Sequence, residues 1–432
     1  MTPLRVALGG LATLAVAMGI GRFAFTPILP MMLRDGTLDL ARGSWLASAN
    51  YLGYLAGAVV CTVEPSLRRA LSTAGATIVP ALAERRAARS VRIGLAATVL
   101  LTAAMALPVA GAWAGLRFAA GVASAYVLVQ ASGWCAARLA ERGTPDLGGV
   151  MFAGPGAGIV ATGLLASGMV AAGWRAEWAW AAFAGFAVVL VAVAWPVFGE
   201  RASFRATRAS AAEAPDDGVP LAAVDPGASA GVALRHSTAE VATLAVAYGI
   251  AGFGYIVTAT FLPVIAREAM AGSALLDLFW PMFGGGVVVG ALAASQWKTM
   301  VDRRRLLALS YAVQAIGIGL GLVRPDALGF TLGSLLLGLP FTAITFYALQ
   351  EVRRIRADAV PATMGLVTAL FALGQAAGPP LVSALLAASA DAHTAFQRAL
   401  AIAAGSLGVG AAMYLASDRA WPNRASSVQP SR

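Results

Sequence analysis

ATLAVAMGIGRF (residues 12–23) returns 230 positions later as ATLAVAYGIAGF (residues 242–253). Nine of the twelve positions are identical, among them Thr13/Thr243, Gly19/Gly249 and Phe23/Phe253. Both copies run on to a Leu-Pro pair, Leu29-Pro30 and Leu262-Pro263. Repetition at a fixed offset marks a chain built from two like parts, and each copy opens one of them. One position breaks the echo in charge: Arg22 aligns with Gly252. Arg22 is also the only charge between Val6 and Leu33.

The rest of the chain shows what kind of part is repeated. Of 432 residues, 59% are hydrophobic and only 12% charged, with a mean hydropathy of +0.75. Soluble domains carry about 25% charged residues, so the composition specifies an integral membrane protein. A helix of about 20 apolar residues spans the hydrocarbon core, and the ~10-residue alternation of barrel strands is missing. Apolar runs predict twelve transmembrane helices at 6–33, 44–63, 91–110, 113–137, 147–171, 177–198, 239–266, 275–296, 306–323, 327–350, 361–387 and 395–416. Arg5 precedes a run too long for a signal peptide, so the first is read as a retained span. The polar, Arg-, Pro- and Ala/Ser-rich stretch 199–238 reads as a solvated linker. The expected organisation is a six-helix bundle at 1–198, this linker, a second six-helix bundle at 239–418 and a tail at 419–432. The fold class is all-α, with two pseudo-symmetric bundles.

Net charge is +10, but its placement argues against nucleic acid. With the N-terminus assigned to the cytoplasm, 23 of the 31 Lys and Arg residues fall on that side, six on the other, and Arg22 and Arg117 inside spans. That bias predicts a multi-pass protein with both termini cytoplasmic and its positive charge facing an anionic leaflet. Enzyme readings find no support. The single lysine, Lys298, lies outside any phosphate-binding loop. His236 and His393 are far apart with no metal-ligand spacing. Cys61 and Cys135 sit in apolar runs, so neither a disulfide, a metal nor a cofactor is expected.

GRFAFTPILPMM (21–32), NYLGYLAGA (50–58), LRFAAGVASAYVLV (116–129), YGIAGFGYIVTATFLPVIA (248–266) and GQAAGP (374–379) resemble the YbfB/YjiJ branch of the major facilitator superfamily. The resemblance covers all twelve spans in order. It implies a monomeric bacterial inner-membrane secondary transporter working by alternating access, with a small-molecule substrate held between the two bundles near mid-membrane. The loop 64–90 lacks the superfamily's Gly-x-x-x-Asp-Arg-x-Gly-Arg-Arg pattern and reads as an interfacial segment. Asp302-Arg303, followed by Arg304 and Arg305, is a partial copy in the second half, which assigns gating to Asp302 and Arg303.

Arg22 lies 12 residues before Arg34, so about 18 Å from that end of its helix at 1.5 Å per residue. That is too deep for snorkelling, and an arginine at such depth usually faces a cavity or a partner. By the resemblance the first, fourth, seventh and tenth spans line the cavity, so Arg22 and Arg117 are expected to face it; for Arg117, near the outer end of its span, snorkelling or a structural bond is the equal alternative. A guanidinium is suited to bidentate capture of a carboxylate, sulfonate or phosphate. Asn50, Tyr54, Tyr255, Thr258 and Gln375 are the polar span residues expected beside them. Gly53 and Gly57, and the Gly-Pro pairs Gly154-Pro155 and Gly378-Pro379, read as packing and bending positions. No carboxylate lies in the middle of a span, so a coupling proton would be carried by Glu351 or by the substrate itself. Three readings follow: a secondary transporter of a small organic anion, an efflux transporter of hydrophobic or amphipathic compounds, and a membrane receptor or scaffold that binds without transporting.

Overall fold

The computed structural model describes residues 1–71, 80–199, 238–270, 275–296, 301–356 and 360–422. Among them every regular element is helical. Twelve helices are long and apolar enough to cross a membrane: Pro3–Arg34, Leu40–Glu64, Glu84–Ala104, Ala110–Ala140, Pro145–Ala171, Ala176–Ala194, Thr238–Ala269, Leu276–Gln296, Arg303–Val323, Ala327–Ile355, Thr363–Ala388 and Ala392–Ala420. They are numbered here as spans 1 to 12. Twelve crossings return the chain to the face on which it starts, the terminal face; the opposite face is distal. Span 3 begins earlier than its apolar run and also ends earlier: Pro108 disfavours helix at the residue before it, and the chain turns from Met105 onward. Of the expected linker only residues 199 and 238 are described, and of the expected tail only 419–422, which close span 12; residues 72–79 of the 64–90 loop also lie outside the described residues.

Span 1 is not one continuous α-helix. Pro3–Leu14 is α-helical, Ala15–Ile20 forms a π-turn, residues 21–24 are a turn, and Phe25–Arg34 is α-helical again. The local cause is in the sequence. Pro27 has no N–H to donate four residues back, and the Phe23 carbonyl instead accepts from Thr26 N at 3.1 Å. Upstream the helix is wide rather than tight: Gly21 N donates to Val16 O at 2.8 Å and Phe23 N to Met18 O at 3.0 Å. A wide turn followed by a tight one leaves carbonyls at 21–22 for other donors. In the second copy Val257 stands where Pro27 would align, its N–H is retained, and span 7 runs unbroken from Thr238 to Ala269.

The repeated motif itself serves packing. A Cβ added to Gly19 would lie 2.5 Å from Gly158 Cα in span 5, and one on Gly374 in span 11 would lie 2.1 Å from Gly249 O. Small residues let transmembrane backbones approach in this way. Gly252 obeys the same constraint, since its Cβ would meet Phe371 O at 2.2 Å. The second half therefore has no room for a side chain where the first half carries Arg22. Gly252→Leu is expected to lower the unfolding temperature of the purified protein by several degrees, an overpacking penalty of about 1–3 kcal/mol or more, whereas Gly285→Leu, with nothing within 4 Å of its Cβ, should be neutral.

Candidate functional site

Arg22 projects from the broken turn of span 1 at mid-membrane depth and is only 2% exposed. Its guanidinium carbon sits 4.0 Å from the centroid of the Tyr54 ring in span 2, and 5.3 Å from those of Tyr51 and Phe23. Ring faces are electronegative, and each such contact contributes about 0.5–2 kcal/mol, offsetting part of the burial. Nη2 donates to Gln375 Oε1 in span 11, and Gln375 Nε2 donates in turn to the Tyr255 hydroxyl in span 7. Arg22 Nε has no hydrogen-bond partner. The site thus joins spans 1 and 2 to spans 7 and 11 through a cation and a neutral amide. Tyr255 lies face-on to Phe371 (6.0 Å) and edge-on to Phe341 (5.0 Å), which completes an aromatic wall on the second half.

Of the parts its sequence position leaves open, Arg117 takes the structural one. Instead of reaching the distal surface or a cavity, its guanidinium turns inward onto span 1. Nη2 donates to Arg22 O at 3.0 Å and Nη1 to Gly21 O at 3.3 Å. Asn50 Nδ2 donates to Arg117 O at 2.8 Å and more weakly to Gly21 O at 3.4 Å. In lipid a freed backbone carbonyl must find a donor inside the protein, and these two side chains supply it. They reach because spans 2 and 4 touch: a Cβ on Gly53 would lie 1.9 Å from Phe118 O, and one on Gly121 2.0 Å from Asn50 O. Arg117 and Asn50 hold the broken turn that aims Arg22. Arg117→Met should weaken any ligand contact of Arg22 roughly tenfold and lower thermal stability by about 1–3 kcal/mol, the penalty of an orphaned buried acceptor; Arg117→Lys should recover part of the stability.

Thr258 is not brought to this cluster. Three residues on from Tyr255 is about 60° around the helix. That is enough to turn its side chain into the second half, where it shares a small cavity with Gly317, Gly333 and Ser334. Conversely, Tyr51, Phe23, Phe341 and Phe371 belong to the cluster although none of them is a site candidate by sequence. Tyr51 and Tyr54, three apart on one helix, share a face, and that spacing was the available signal.

Around the cluster the halves are unevenly joined. On the distal side, hydroxyls of the first half reach the second: Thr26 Oγ1 to Ala259 O (3.1 Å), Tyr51 to Thr260 Oγ1 (2.9 Å), Ser48 Oγ to Ala376 O (3.2 Å) and Ser167 Oγ to Asp277 O (3.0 Å). Toward the terminal face a cavity of about 170 Å³ opens between spans 4 and 5 on one side and spans 8 and 10 on the other. Met151, Phe152, Thr345 and Gln350 are among its lining residues. Tyr248 donates to Thr345 Oγ1 at 3.1 Å and stacks on Phe371, linking that cavity's wall to the aromatic wall of the cluster.

At the terminal face of the second half lies a buried charge network. Arg304 is 1% exposed, as are Glu240 and Glu351. Arg304 faces Asp302 (3.3 Å), Glu351 (3.5 Å), Glu240 (3.8 Å) and Asp418 (3.8 Å). It also donates to the carbonyls of Ser417 and Trp421 at the end of span 12. Arg354 bridges Glu240 and Glu351 at 2.9 and 2.6 Å. The network ties the terminal ends of spans 7, 9, 10 and 12. Asp302, a gating candidate, is in it; Arg303 is exposed. The helical pattern explains the exchange. Arg304, Leu307, Ala308 and Tyr311 fall at i, i+3, i+4 and i+7 and are all buried, so the arginine in register with the apolar stripe is Arg304. Burial raises the Asp302 carboxyl, but the bonds from Arg304 outweigh it and hold the group below its ordinary value. A depressed acid stabilises the fold above its unfolded value, near pH 4, and that contribution is lost as pH falls through the lower folded value. Thermal stability of Asp302→Asn should accordingly fall below wild type at neutral pH and converge with it in acid.

Comparison with known proteins decides the family. The family model described as "Uncharacterised MFS-type transporter YbfB" matches residues 14–415. The chain belongs to this family of major facilitator superfamily transporters. It is a multi-pass membrane transporter and not an enzyme, and the resemblance noted in its sequence holds over nearly its whole length. A search of curated proteins returns no match. Among solved structures, the crystal structure of a mutant form of the nucleoside transporter NupG superposes with a TM-score of 0.65 at 14% identity. The match covers 96% of this chain and 99% of that one. At that identity the likeness establishes the twelve-helix transporter fold and leaves the substrate to the site itself.

Proposed function

We propose that this secondary transporter carries a small organic anion by alternating access, with Arg22 as the anion contact. The observation that supports the reading is a buried cation at mid-membrane that makes no ion pair among the described residues and is answered across the bundle interface only by the neutral amide of Gln375. An arginine kept at such depth is expensive, about 2.5–3.5 kcal/mol on insertion scales, and a charge of its own sign is not what it would bind. Residues 1–198 and 239–418 act as the two rocking bodies. The distal hydroxyl bonds close one side in this conformation, and the cavity on the terminal side is the approach to the occluded site. The Arg304 network, with Asp302, holds the terminal ends of the second body together as it moves. The terminal face is cytoplasmic, from the charge bias of the sequence, in a bacterial inner membrane. The unit is a monomer, because both walls of the site come from one chain. Counterflow of labelled organic anions in proteoliposomes tests the reading: exchange should require Arg22. Equal exchange of neutral and anionic compounds by wild type and by Arg22→Gln would overturn it in favour of amphipath efflux. Binding with no counterflow at all would mark a receptor instead.

A further inference from the structure

We infer that the anion is a monocarboxylate with a flat, aromatic body; this rests on the anion reading above and narrows it. The donor count comes first. Both guanidiniums near the site are charged and both have an unpartnered Nε. Both Nη groups of Arg117 are tied to the backbone carbonyls of Gly21 and Arg22, whereas Arg22 Nη2 is held by a side-chain amide that a ligand can displace. One guanidinium is thus open to one carboxylate, and a second carboxylate would be buried with no donor pair to receive it. The donor geometry comes next. Arg22 Nε is unpartnered, while Nη2 on the same edge of the guanidinium is held by Gln375 Oε1. Nε–H and Nη2–H form the parallel fork that fits the two oxygens of a carboxylate. The ligand therefore displaces Gln375 Oε1 from Nη2 and takes the idle Nε as well, while the Gln375 amide keeps its bond to Tyr255.

The walls supply the rest. Tyr54 lies against the guanidinium on one half, and Tyr255 with Phe371 presents stacked rings from the other. Between such faces a planar apolar body gains offset or edge contacts beyond its area burial. Gln375 also gives loading a mechanical consequence. It is the bond by which Arg22 reaches the second half, so a carboxylate that captures the fork releases one link between the halves and leaves the distal hydroxyl contacts as links still to be broken.

The test is calorimetric titration of the purified full chain in nanodiscs with benzoate, benzamide, acetate, phthalate, succinate and inorganic phosphate. Benzoate should bind at least tenfold more tightly than every other probe. Arg22→Gln should lower benzoate affinity a hundredfold, and Gln375→Leu, which leaves the fork uncontested, should raise it several-fold. Tighter binding of succinate, phthalate or phosphate that still depends on Arg22 overturns the monocarboxylate and leaves the anion reading standing. Equal binding of benzamide and benzoate, unaffected by Arg22→Gln, overturns both. If Arg22→Gln does not fold, Gln375→Leu decides: unchanged or weaker benzoate binding overturns the displacement of Gln375.

Discussion

Arg22→Gln is expected to abolish counterflow of anionic substrate while the protein still folds and inserts. The side chain is 2% exposed, so any ligand that pairs with it does so out of water. Removing one member of such a buried pair costs about 2–5 kcal/mol, a loss of roughly two orders of magnitude or more in binding. The fold should tolerate the change, because the wild-type guanidinium has no carboxylate partner to strand. Glutamine keeps a donor for Gln375, and loss of an unpaired charge from the membrane interior is itself favourable. Arg22→Lys separates charge from geometry. A lysine retains the charge but lacks the planar fork, so it should keep a small fraction of exchange. Initial counterflow rates, with circular dichroism and size-exclusion profiles as folding controls, check both. Full activity in Arg22→Gln would remove Arg22 from the substrate path.

The second large effect is expected on stability. Arg304→Met should destabilise the second half by about 3–5 kcal/mol, as removal of one partner of a buried ionic cluster does. Glu240 and Glu351, each 1% exposed, would lose a buried cation while both still bind Arg354, which is 22% exposed. The carbonyls of Ser417 and Trp421 would lose their donor. Adding Glu351→Gln to Arg304→Met should restore part of the loss by removing the excess negative charge. Arg303→Met, at an exposed neighbour, should change the unfolding temperature little. Thermal unfolding in nanodiscs measures all three, and equal effects at 303 and 304 would deny the network its structural weight.

The twelve spans were legible because a lipid environment imposes a simple rule on sequence. Every crossing needs about 20 apolar residues, and the composition leaves few other places for polar ones. The repeat was equally plain, since identical glycines must recur wherever identical helix crossings recur. Span 3 shows the limit of this reading: its apolar run extends past the helix, and Pro108 ends it where hydropathy does not. The site was legible in part. Arg22, Tyr54, Tyr255 and Gln375 do meet, each being a polar or charged residue at depth. Thr258 and Arg117 meet the same criterion and serve elsewhere. Depth along a span says nothing of the direction around it, and a step of about 60° divides the bundle interface from a bundle's own interior.

What the sequence determined by itself is the number of crossings, their order, the doubling of the chain and the presence of one unshared cation at mid-membrane. These follow from hydropathy and identity, which are properties of residues taken one segment at a time. Only the tertiary structure decided which arginine is tied to backbone carbonyls and which is held by a side-chain amide alone. Arg117 is consumed by the carbonyls that Pro27 and the π-turn leave open, and Arg304 rather than Arg303 is gathered into a network drawn from four spans. Hydrogen-bond capacity is settled between elements far apart in sequence. Whether a buried charge remains available to a ligand depends on every neighbour that could have claimed it first.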